Sequence, residues 1–158
     1  MDFQITFKNQ LNSLIGFFTT LILGILVCFA AYSKIGLIGL IYGVIAISLV
    51  LLSVIVVHIQ YLNANYRVIL KKIDENKFIY RKDDIEHVID YENVLHIEKF
   101  ISYNFRASRG LLPTDCYNYS KITLKDGVTL IITSLKIDDF LYFKDKTKEY
   151  KRFIAMII

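Results

Sequence analysis

Two long uncharged stretches open the chain, and a different hydrophobic rhythm follows them. No Asp, Glu, Lys or Arg occurs from Asn9 to Ser33 or from Ile35 to Tyr66, and Lys34 alone separates the two runs. A hydrocarbon core about 30 Å thick is crossed by roughly 20 apolar helical residues, so each run is long enough to span it with some tilt. The pattern predicts helices over about residues 14–32 and 37–58, with Ser33, Lys34, Ile35 and Gly36 as the turn. So short a connection makes the helices antiparallel neighbours and brings both flanks out on one side. A cleaved secretory signal fits less well, because the first run is too long, lacks a basic leader and has a second span directly behind it.

From Tyr66 the apolar positions alternate with period two, the signature of strands buried on one face. Strands are expected at residues 66–73, 77–82, 85–89, 94 to about 102, 117–125 and 128–134. Asp74-Glu75-Asn76 closes the first hairpin, and Asp126-Gly127 closes the last as an expected type I′ turn. Between them, residues 103–116 hold Arg106, Arg109, Gly110 and the only proline, Pro113, and read as a long loop with room for one irregular strand. After Ser134 the spacing turns helical. Ile137, Phe140, Leu141, Tyr150, Phe153, Ile154 and Ile157 fall on one stripe, predicting an amphipathic helix from Ile137 or Asp138, with late lysines suited to its dipole. The apolar residues 153–158 are too few to span a bilayer; they either pack on the domain or touch the membrane surface or a neighbouring subunit. The expected organisation is a membrane hairpin over 1–62 and an α+β, mainly β domain over 63–158.

Charge then orients the hairpin. The turn offers only Lys34, whereas the other side carries Lys8 and then Arg67, Lys71, Lys72, Lys77, Arg81 and Lys82. By the positive-inside bias both flanks are expected in the cytoplasm. Neither span contains an Asp, Glu, Lys or Arg, which argues against an ion or proton path and for a simple anchor. Small residues recur as Gly16, Thr20, Gly24 and Cys28 in the first helix and as Gly36, Gly39, Gly43 and Ala46 in the second. Such rows let backbones approach in lipid. Two uses stay open: packing the hairpin on itself, or joining copies through Gly39-x-x-x-Gly43.

Candidate chemistry is sparse. No GxSxG, HExxH, CxxC, phosphate-loop or dinucleotide motif is present. Cys28, Cys116, His58, His87 and His96 lack zinc-site spacing. No catalytic residue, metal or cofactor is therefore expected. From residue 59 onward 17 Lys and Arg interleave with 14 Asp and Glu, so no nucleic-acid footprint forms. The long loop is the candidate partner surface, through Tyr103, Phe105, Arg106, Arg109, Leu111 and Leu112, since recognition concentrates in such segments.

Residues 89–98 (IDYENVLHIE) and 122–133 (ITLKDGVTLIIT), set in this order of strands before a terminal helix, resemble pleckstrin-homology (PH)-like domains. The chain is similar to small bacterial membrane proteins that join two N-terminal spans to such a domain. The resemblance implies six or seven antiparallel strands, a helix plugging one end of a bent sheet, and no catalytic residue. In eukaryotic relatives basic residues of the first hairpin bind phosphoinositide head groups; Lys71, Lys72, Lys77, Arg81 and Lys82 occupy that hairpin here. Beside a membrane each cation attracts anionic lipid by about 1 kcal/mol, although the same residues also serve as topology signals and solvated strand faces. The expected function is a non-catalytic interaction or scaffold module at the cytoplasmic face of a bacterial inner membrane, working on a protein partner or on itself as a homo-oligomer. The alternative is a ligand-sensing effector whose β domain oligomerises the spans.

Overall fold

The computed structural model describes residues 2, 3, 5, 7–103, 113–137 and 140–157. Helices α1 (Phe7–Ile35) and α2 (Leu37–Ala64) form an antiparallel hairpin. Its turn is Gly36 alone, at φ +68°, a conformation that costs glycine least. Both helices are long and apolar enough to cross a membrane. Both also overrun the predicted spans: α1 starts at Phe7 rather than near residue 14, and α2 continues to Ala64 rather than stopping at 58. At 1.5 Å per residue a 28-residue helix is about 42 Å long, well beyond the roughly 30 Å of hydrocarbon. The excess length is taken up by the β structure.

Among the described residues, eight strands form two sheets. The first has the order β1 (Asp2–Phe3), β2 (Val68–Asp74), β3 (Lys77–Lys82), β4 (Ile85–Ile89), all antiparallel. The second has the order β7 (Thr129–Thr133), β6 (Tyr119–Leu124), β5 (Val94–Ser102), β8 (Thr147–Arg152). Alternation aims Leu70, Phe78, Tyr80 and Ile89 of the first sheet at Val94, Ile97, Ile122, Leu130 and Ile132 of the second, and this is the first hydrophobic core.

The expected terminal helix does not form. Phe140 and Phe143 both turn inward, but from irregular chain: they close the open side of the core beside Phe78, whose ring lies 5.6 Å from that of Phe140. Leu141 between them is 49% exposed, where a helical stripe would have buried it. Phe143 sits at φ 55°, which breaks any helix before the short 3-10 turn Lys144–Lys146. The residues after that turn become β8, parallel to β5, in register from Ile97 opposite Thr147 to Ser102 opposite Arg152. An open β5 edge offers a row of unpaired amides and carbonyls, and capping it outweighs the helical spacing. The strands are therefore not all antiparallel.

The type I′ turn also moves. Asp83 and Asp84 have φ 48° and 66° between paired Lys82 and Ile85, so the two-residue primed turn joins β3 to β4. At Asp126-Gly127 only the glycine has positive φ, +87°. There Leu124 N–H donates to the Val128 carbonyl at 2.9 Å, leaving a three-residue loop rather than a two-residue one.

Candidate functional site at the helix–sheet joint

The last turns of α2 are the best-packed part of the hairpin. Val54, Val57 and Tyr61, at spacings of three and four, are 0–1% exposed. They meet Phe100, Tyr117, Tyr119, Leu135 and Ala155 in a second core, on the side of the second sheet away from the first core. The Tyr61 ring stands edge-on to Tyr117 and Tyr119, at 5.1 and 6.2 Å. Its hydroxyl donates to the Ala155 carbonyl at 2.7 Å. Phe100 stacks between Tyr119 and Tyr150 at 4.7 and 5.3 Å. His58 Nδ1 lies 2.8 Å from the Tyr117 hydroxyl.

Polar ties then lock the handover from helix to sheet. The Asn65 side-chain amide donates to the Tyr61 carbonyl and to the Thr133 hydroxyl. The buried Lys136 ammonium donates to the carbonyl of Val68, the first residue of β2. Burial lowers the Lys136 pKa, because the charged form loses water. On α1, a Cβ at Gly16 would lie 2.7 Å from Pro113 Cα, so helix backbone touches the backbone of the sheet domain directly. The hairpin and the sheets thus form one packed body, without a linker.

Burial raises the pKa of the Tyr80 phenol in the first core and of the Tyr117 phenol at the joint. A folded pKa above the unfolded value of 10.0 means stability that is complete below pH 10 and lost as pH climbs through the folded values. Lys136 acts oppositely, since its lowered pKa adds stability as pH rises toward 10.5. The phenols lose and the lysine has nothing left to add above that point, so the protein should unfold on the alkaline side. Phenolate absorbance should rise late and cooperatively, together with loss of the near-UV dichroism. A gradual titration of all tyrosines at their free value would contradict the burial of these two.

The small-residue rows are largely spent inside the hairpin. A Cβ at Gly24 would lie 2.8 Å from Ile47 Cδ1, one at Gly39 2.7 Å from the Ala31 carbonyl oxygen, and one at Gly43 3.0 Å from Cys28 Sγ. Both glycines of Gly39-x-x-x-Gly43 therefore face α1, whereas a Cβ at Gly36 would meet nothing within 4 Å. Gly43→Cys would place its Cβ 3.9 Å from Cys28 Cβ, inside the range that a disulfide accepts. With the exposed Cys116 replaced by serine, mild oxidation of this variant should block the two remaining thiols within a single chain. Cross-linked dimers on a denaturing gel would instead place this face between copies.

The sequence profile of the PH-domain family matches residues 2–145. The chain belongs to the PH-domain family. Its match takes in both apolar helices as well as the strands, so the family unit is not confined to the part after α2, where the sequence alone put it. No curated protein and no solved structure matches the chain. PH domains are typically non-catalytic and bind lipids or proteins.

In this PH domain the five cations of the first hairpin do not converge. Lys71 and Arg81 are exposed on the outer face of the first sheet, opposite Ile79 and Ile69. Lys72 points to the inner side, with its ammonium 5.1 Å from the centre of the Tyr142 ring. Lys77 is at the hairpin tip, beside Asp74, Glu75, Asp90 and Glu92, which line a shared cleft of about 520 Å³. Lys82 stands at the other end of its strand, next to the Asp83-Asp84 turn. The cleft adjoins the 90–93 turn and the Lys125 end of β6, remote from the Tyr117 end that meets α2.

Of the loop candidates, Phe105, Arg106, Arg109, Leu111 and Leu112 lie outside the described residues. Tyr103 is exposed, and its N–H donates to the Arg152 carbonyl at 3.2 Å. The joint residues were missed by sequence reasoning, though a signal existed: the uncharged run behind α2 is too long for a bilayer, and Val54, Val57 and Tyr61 share one helical face.

Proposed function

We propose that this protein is a membrane-anchored PH domain that acts as a non-catalytic interaction module, held by its hairpin at the cytoplasmic face and presented to a protein partner or to a second copy. The observation that carries this reading is the unbroken run of α2 into the second core through Val54, Val57 and Tyr61. A helix built into the domain it carries fixes the height and orientation of that domain, which a recruiting platform needs and a loosely tethered enzyme does not. The lysine bias of the flanks supports the orientation, with Lys34 alone at the turn.

Two measurements test it. Impermeant maleimide applied to intact cells should label Lys34→Cys and spare Glu75→Cys; the reverse pattern would overturn the orientation. Purification of the tagged full chain from detergent-solubilised membranes should recover a stoichiometric partner or a defined oligomer. Recovery of monomer alone would remove the interaction role.

A further inference from the structure

We propose that the end of the PH domain that receives the hairpin is itself seated in the bilayer interface, through Tyr103, Phe153 and the apolar residues that follow β8. The inference rests on the membrane reading above and adds a lipid-contact surface remote from the tip of the basic hairpin.

The depth argument comes from the two faces of the hairpin. On the face toward the domain, Gly16 meets Pro113 and His58 meets Tyr117. On the opposite face, exposed apolar residues continue past that level without a break: Leu52, Ile55, Val56 and Ile59 on α2, and Phe18, Ile15 and Leu11 on α1. Gly24 against Ile47 and Gly43 against Cys28 set the two helices in step, so these residues share one depth. A helix face that apolar belongs in lipid. Lipid on one face and the domain on the other, at the same depth, puts this end of the domain in the interfacial layer.

The residues found there suit such a layer. Strands β5 and β8 end together, Ser102 opposite Arg152. Just beyond them, Tyr103 and Phe153 are 65% and 68% exposed. Ala155 is buried beneath Tyr61, and Ile154, Met156 and Ile157 are half-buried against the second core. Lys151 is exposed and Arg152 half-buried beside them, cations at the level of lipid phosphates. Aromatic rings with adjacent cations are the usual occupants of this zone. Asp74, Glu75, Asp90 and Glu92 gather at the other end of the domain, away from an anionic surface.

The chain has no tryptophan, so single Trp probes are clean. The full chain carrying Phe153→Trp, in vesicles of phosphatidylcholine and phosphatidylglycerol with brominated acyl chains, should show blue-shifted emission quenched about twofold relative to unbrominated lipid. Tyr103→Trp should behave alike, and Leu95→Trp, exposed at the far end of β5, should be unaffected. Leu26→Trp, exposed in α1, reports whether the hairpin is in the bilayer at all. Quenching of Leu26→Trp with none at Phe153 and Tyr103 would overturn this inference alone. No quenching at Leu26 would overturn it together with the membrane reading, and equal quenching at Leu95 would overturn it as general adsorption.

Discussion

Tyr61→Ala is expected to destabilise the folded protein by about 3–5 kcal/mol, the range for removing a large ring from a filled core. Tyr61 is fully buried, with the rings of Tyr117 and Tyr119 edge-on against it. Tyr61→Phe keeps the ring and loses only the bond to Ala155, leaving a buried carbonyl unpaired at a cost of about 1–3 kcal/mol. Chemical denaturation of the full chain in nanodiscs, followed by near-UV dichroism, would measure both. With alanine in place, protease should also begin to cut near residues 64–68, where Asn65 and Lys136 lock the handover. Wild-type stability in Tyr61→Ala would mean that the helix and sheet are not packed as one body.

Phe140→Ala should produce a loss of similar size, about 3–5 kcal/mol, while Leu141→Ala should stay within about 0.5 kcal/mol of wild type, as surface changes do. Phe140 is 2% exposed against Phe78, and Leu141 is 49% exposed. A terminal amphipathic helix would have placed both on its buried stripe and made both substitutions costly. The contrast between adjacent residues therefore discriminates an irregular plug from a helix, and equal effects at the two positions would favour the helix.

These two sites also show why the local pattern read some elements and missed others. Alternation placed β2 to β7 nearly to the residue, because each strand buries one face and its period is local. Phe140 and Phe143 three apart fit a helix and fit a plug equally well; the choice is made by the open side of the first core, which no spacing reveals. The basic hairpin was visible as five cations, yet register divides them between faces and ends. The small-residue rows were visible as well, but only the helix pairing assigns Gly39 and Gly43 to α1 and Gly16 to Pro113.

The two helices that opened the chain follow from composition by itself. The 58 residues from Asn9 to Tyr66, interrupted by one lysine, have few stable arrangements other than a pair of apolar helices, and the absence of other charge within them is a property of the residues alone. Where those helices end is a tertiary matter. Val54, Val57 and Tyr61 are as apolar as the span above them, and only the aromatic face of Phe100, Tyr117 and Tyr119 turns that stretch into part of the domain. β8 is tertiary for the same reason: its polar, weakly patterned residues become a strand because β5 has an edge to be paired.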